Sequence, residues 1–140
     1  MRYYQGTYRP KFPRKYKGDP HKIIFRSSWE YKFMLWCDTT PNVQEWSSEE
    51  IVIPYKSPVD NKYHRYFVDF YMKINGKKYL VEVKPFRQTK EPKTQKRMTK
   101  KYINEVVTWS VNKAKWKAAT EFCLDRQWEF KIITEKELKV

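Results

Sequence analysis

Apolar and polar positions alternate most sharply between His64 and Lys84, which predicts two antiparallel strands over residues 64–74 and 77–84. Asn75-Gly76 separates them. This dipeptide suits a two-residue type I′ turn, whose central residues both need positive φ. Such a turn pairs Ile74 with Lys77, and counting back along the strands sets Asp69 opposite Glu82. Alternation then puts Val68, Phe70 and Met72 on one face with Tyr79, Val81 and Val83, and puts Asp69, Glu82 and Lys84 on the other. Carboxylates facing each other across antiparallel strands stand about 4.5–5.5 Å apart at Cβ and repel. Hydration of a charged outer face is the plain resolution. An oxygen-ligated divalent cation is the other, and the apolar setting of these strands favours it.

The flanking pattern supplies the rest of an α/β domain. Residues 27–38 read as a helix, with Ser27 as N-cap and Glu30 three positions on, a capping box that by itself explains Glu30. Glu30 also falls on the apolar side of that helix, near Phe33, Met34 and Cys37, which points it towards the interior or a cleft. Residues 43–46 and 51–55 are strand segments interrupted by Ser47-Ser48-Glu49-Glu50, and residues 57–61 are a turn. Pro85 ends the second hairpin strand. Apolar positions at helical spacing predict a second helix from Asn104 or Ser110 to Arg126, followed by a strand over 129–133 and a further capping box at Thr134. The order helix, three-stranded antiparallel meander, helix, strand implies a mixed sheet. Residues 1–22 show no hydrophobic period. They are expected to form an extended basic arm ahead of a single domain over 23–140. The arm's Tyr3, Tyr4, Tyr8 and Tyr16 suit either stacking on bases or pinning the arm to the domain.

Charge changes this picture through its placement. The formal net charge is +14, yet residues 1–26 and 84–101 each carry eight Lys/Arg against one acid, and the remainder is neutral. Two basic segments, one beginning at the Glu-x-Lys strand, suit a nucleic-acid backbone. Other chemistries fall away. Cys37 and Cys123 sit on apolar helical faces and read as reduced thiols, and two histidines make a His-based metal site unsuitable. No apolar run reaches the roughly 20 residues that span a bilayer, and no signal-peptide pattern opens the chain.

An Asp, a hairpin and then Glu-x-Lys resemble the core motif of the PD-(D/E)XK nuclease superfamily, and the element order resembles its restriction-endonuclease-like core. Val68 stands where that motif usually has proline. A broader resemblance runs from Tyr3 onward and is carried by Arg26-Ser27-Ser28-Trp29-Glu30, Trp46-Ser47-Ser48-Glu49-Glu50, His64 to Phe70, Glu82-Val83-Lys84-Pro85 and Trp109 to Trp116. In these stretches the chain is similar to the head-completion nucleases of T-even-like tailed phages, relatives of TnsA-type transposon endonucleases. The resemblance implies Mg²⁺-dependent cleavage of double-stranded DNA, with Mn²⁺ as a substitute and with endonuclease and exonuclease action both compatible. It further implies work beside portal or neck proteins of the capsid, in the host cytoplasm during assembly or on the virion. It makes Asp69, Glu82 and the Val83 carbonyl the metal ligands, Lys84 the catalytic lysine and Glu30 a supporting acid. Glu49 and Glu50 are substitutes for Glu30, and Gln88, Asn112 and Lys113 are alternatives for contacting substrate. Competing readings are a non-catalytic neck or capsid protein that binds DNA, a transposon-end or junction nuclease of the same fold, and a nucleic-acid-binding module that stacks bases on its aromatics.

Overall fold

The strand expected over residues 64–74 is divided in two. The computed structural model describes residues 3–139, with side chains from residue 5 onward. In chain order the elements are β1 (Tyr3–Tyr8), β2 (Ile23–Ser27), α1 (Ser28–Thr39), β3 (Val43–Ser48), β4 (Val52–Lys56), β5 (Tyr63–Phe67), β6 (Phe70–Ile74), β7 (Lys77–Val83), α2 (Lys100–Arg126), β8 (Glu129–Ile133) and α3 (Glu135–Leu138). The main sheet has the order β3-β6-β7-β8. Its first two pairings are antiparallel, and β8 joins β7 in parallel after the α2 crossover. This is the mixed α/β architecture with a mixed sheet expected from the sequence.

The turn between β6 and β7 forms as the dipeptide requires, with φ of 48° at Asn75 and 86° at Gly76. Pairing runs from Ile74↔Lys77 to Phe70↔Val81, which is the predicted register. The strand expected over residues 64–74, however, is not continuous. It breaks at Val68-Asp69, and its first half, β5, pairs with β4 in a separate two-stranded ribbon. The neighbouring strand breaks at the same level. The Glu49 N–H donates to the Asp69 carbonyl at 3.1 Å, and the Val68 N–H donates to the Ile51 carbonyl at 3.1 Å. Glu49 takes a φ of 56°, so the left-handed region supplies the bend. One long hairpin is thus creased across its middle, and Asp69 stands at the crease.

The crease overturns one facing assignment. Phe70, Met72, Val81 and Val83 pack with Phe33, Met34 and Cys37 of α1 on one side of the main sheet. Val68 packs on the opposite side, with Tyr66, Tyr71, Leu80 and the α2 residues Ala119 and Cys123. Strand alternation does not carry through a break, so Val68 departs from the face of Phe70. Covering on both sides explains why apolar residues fill both parities of β6 and β7.

The second helix begins at Lys100, ahead of the expected Asn104 or Ser110, with the Thr99 side chain accepting from the Tyr102 N–H at 3.1 Å. Its early turns are largely exposed, so no apolar stripe marks them in the sequence. The segment expected as an arm lies against the domain, with β1 antiparallel to β2. Tyr8 and Tyr16 are buried. Fully buried Asp38 accepts from the Tyr8 hydroxyl at 2.6 Å and from the N–H groups of Lys11 and Phe12 at 2.7 and 3.1 Å. Lys15 Nζ donates to the carbonyls of Cys37, Asp38 and Thr40 at 2.8–3.0 Å, closing the C-terminus of α1. Pinning therefore accounts for Tyr8 and Tyr16, while the side chains of Tyr3 and Tyr4 lie outside the described residues.

Candidate active site

The crease and the end of β7 bring the carboxylates together. Continuing the β6–β7 register by one position sets Asp69 opposite Glu82. The Asp69 carboxylate accepts from the Val83 N–H at 2.9 Å. In an antiparallel pair a residue's N–H and C=O point to the same neighbour, so the Val83 carbonyl is directed to the Asp69 side. Glu82 is 4% exposed, and its carboxylate is held from two sides. The Tyr66 hydroxyl donates to one oxygen at 2.7 Å, and Lys84 Nζ lies 3.7 Å from the other. Lys84 itself is fixed by its N–H, which donates to the Ile133 carbonyl of β8 at 3.0 Å.

These contacts leave an electrostatic conflict. Burial pushes the Asp69 carboxyl well above the usual carboxylate range, and the facing Glu82 adds to the rise, while the Val83 N–H opposes it. Glu30 and Lys84 act on Asp69 more weakly, in opposite directions. The Glu30 carboxyl is also pushed up, first by burial and then by Glu49, against hydrogen bonds from the Arg26 N–H and the Ser27 hydroxyl. The capping arrangement expected there is only half formed. Ser27 Oγ accepts from the Glu30 N–H at 3.1 Å, but the Glu30 carboxylate turns to the Ser27 hydroxyl and the Arg26 N–H.

The other sequence-derived candidates fall in two places. Glu49 is paired with the Arg26 guanidinium beside Glu30, and Glu50 is exposed. Gln88 and Asn112 line one groove, whereas Lys113 is exposed and does not line it. Sequence reasoning missed Tyr66 and Arg26. With unbroken alternation Tyr66 shares the face of Phe70, away from Glu82, and only the crease turns its hydroxyl to the carboxylate. Arg26 lies on β2, and it feels Glu49 most strongly, then Glu30 and Asp69.

Chemically, the set offers hard oxygen donors beside a lysine, with a tyrosine orienting one donor. Among the described residues no three His, Cys, Asp or Glu side chains converge into a metal cage. A cation here would therefore take few protein carboxylates and keep room for water or substrate oxygens.

The sequence profile of the TnsA-like endonuclease N-terminal domain matches residues 40–135, more than half of the chain. The chain belongs to the TnsA-like endonuclease family. The family match contains Glu49, Asp69, Glu82 and Lys84 and begins beyond Glu30 and Arg26. The chain is also 42% identical over 141 residues to the head completion nuclease of Enterobacteria phage T4, covering 97% of this chain and 94% of that protein. That similarity extends across α1 as well, so a family member of matching length aligns with both halves of the candidate site.

Proposed function

We propose that this protein is a divalent-metal-dependent DNA endonuclease of the PD-(D/E)XK type that acts in phage head completion. The observation that carries the reading is the facing pair of half-buried Asp69 and buried Glu82, with Lys84 Nζ 3.7 Å from Glu82. Two carboxylates pressed together in an apolar setting call for positive charge between them, and their hard oxygens match Mg²⁺ or Mn²⁺. Asp69, Glu82 and the Val83 carbonyl would hold the ion. When bound it supplies an acidified water and charge neutralisation on the phosphoryl oxygens.

The chain's own residues perform the remaining work. Tyr66 fixes the Glu82 carboxylate by its hydrogen bond, so one oxygen keeps a set direction. Lys84 presents its ammonium next to that carboxylate, where it orients the attacking water or stabilises charge growing on the phosphoryl group. Glu30, held above the usual carboxylate range, retains a proton more readily than a surface glutamate and suits a supporting acid. The same chemistry serves internal cutting and trimming from an end.

The biological setting rests on the T4 relative, whose name is head completion nuclease. By that likeness the substrate is double-stranded DNA, the partners are portal or neck proteins of the capsid, and the site of action is the host cytoplasm or the assembled particle. No helix among the described residues is long and apolar enough to cross a membrane.

The test is plasmid nicking in Mg²⁺, in Mn²⁺ and in EDTA, with Asp69→Ala and Lys84→Ala beside the unaltered protein. Metal-dependent nicking that both substitutions abolish is expected. Nicking that survives both would sink the site assignment, and DNA binding without cleavage would favour a non-catalytic neck protein.

A further inference from the structure

Directly after Lys84 and Pro85 the chain makes a 3₁₀ turn, Phe86–Thr89, and then runs to the start of α2. Between that segment and the N-terminal half of α2 lies a groove of about 800 Å³. Arg87, Lys90, Lys100 and Lys101 supply positive charge to its walls, offset in part by Glu105, and Trp109 and Asn112 supply an indole and an amide. Trp109 is held by an edge-to-face contact with Trp116, ring centroids 6.0 Å apart. Asn112 is 5% exposed, yet its side-chain Nδ2 has no hydrogen-bond partner among the described residues. A buried donor left unpaired in this way is unfavourable and awaits an acceptor.

We infer that this groove binds an unpaired DNA strand next to the cutting site, so that the enzyme acts best where duplex DNA adjoins a single-stranded end or gap. The inference deepens the nuclease reading and rests on it for the meaning of the neighbouring site. Three observations carry it. The groove has the volume of a small-ligand pocket and holds roughly one or two nucleotides, not a duplex. An aromatic wall amid basic side chains is the means by which proteins stack exposed bases while tracking the backbone. Asn112, whose amide donor is unpaired, lines the same groove, and a small side-chain rotation would offer that donor to an acceptor bound there. Paired bases present no free face to an indole and keep their Watson–Crick edges engaged, whereas an unpaired nucleotide offers both. Position completes the argument, because the turn that forms one wall follows Lys84 without an intervening element.

The experiment measures fluorescence anisotropy in EDTA, with full-length protein carrying Lys84→Ala, on a fluorescein-labelled oligothymidine and on a blunt duplex of equal length. Trp109→Ala and Asn112→Ala are each expected to weaken oligothymidine binding about fivefold or more and to change duplex binding far less. Trp109→Phe keeps an aromatic face and is expected to restore most of the loss. Arg87→Ala, an exposed position, should weaken both ligands and lower the salt dependence of binding. Melting curves of each variant confirm folding. If Trp109→Ala and Asn112→Ala leave oligothymidine binding unchanged, or weaken both ligands alike, the inference is overturned even where the Lys84-intact protein cleaves DNA. If the Lys84-intact protein never cleaves but the single-strand preference depends on Trp109 and Asn112, the groove assignment stands and the nuclease reading falls.

Discussion

Replacing Asp69 by asparagine should stabilise the metal-free protein. Asn keeps an oxygen to accept from the Val83 N–H, which now donates to the carboxylate at 2.9 Å. It removes the charge that faces Glu82. At a separation of about 5 Å and an effective dielectric near 20, two unit charges repel by about 3 kcal/mol. Loss of the charge-assisted part of the Val83 bond offsets roughly 1 kcal/mol of this. A net gain of about 1–2 kcal/mol remains, or roughly 3–6 °C in melting temperature for a chain of this size. The sign depends on pH. The Asp69 carboxyl is raised in the folded state above its ordinary value of 3.8, so its contribution is most favourable below that value and is lost as pH rises through the folded one. The variant's advantage should therefore be absent near pH 3.5, grow across the window above it and be largest at pH 8 in EDTA. Saturating Mg²⁺ should reverse the order, because the unaltered protein alone gains from the ion. Melting followed by circular dichroism at several pH values decides the matter. A lower melting temperature for the variant at pH 8, or a difference indifferent to pH, would refute the facing-carboxylate argument.

Other substitutions separate the parts of the site. Tyr66→Phe keeps the ring but removes the donor to Glu82, so metal affinity or cleavage should fall about 10- to 100-fold with DNA binding retained; unchanged titration and rate would show that the hydroxyl does not orient the carboxylate. Glu30→Gln should reduce cleavage at least about tenfold, whereas Glu49→Gln, which loses only an ion pair with Arg26 near the surface, should shift stability by less than about 1 kcal/mol; the reverse ranking in a nicking assay would make Glu49 the supporting acid. Asp38→Ala leaves the Tyr8 hydroxyl and two N–H groups without their acceptor and should cost about 3 kcal/mol or more in urea unfolding.

What was legible in the sequence was the part governed by local rules. Asn75-Gly76 determines a turn, the turn determines a register, and the register places Asp69 against Glu82 without knowledge of the rest of the chain. The capping side chains of Ser27 and Thr134 likewise announce α1 and α3. The crease was only half legible, because the interruption at Ser47-Ser48-Glu49-Glu50 shows in the sequence whereas the matching break at Val68-Asp69 looks like ordinary strand. Tyr66 was lost with it, since its direction depends on the break and not on its spacing from Asp69. The exposed first turns of α2 carried no periodic signal, and the N-terminal segment hid its pairing because β1 is ordered by β2 and by Asp38, distant in sequence. Asn112 was one of three indistinguishable candidates until burial separated it from Lys113.

The crease also has a bearing on how such an enzyme can diversify. Beyond it, the β4–β5 ribbon ends in a tip at residues 57–62 that shares no backbone hydrogen bond with the main sheet. Lengthening or reshaping that tip leaves untouched the point where Asp69 meets Glu82, which is fixed from the opposite end by the tight turn at Asn75-Gly76. Apart from Tyr66, which reaches Glu82 from β5, the site and the ribbon's tip are thus under separate structural control. A lineage can alter what the ribbon's tip touches, by insertion or by recombination there, while keeping the Asp69–Glu82 geometry unchanged.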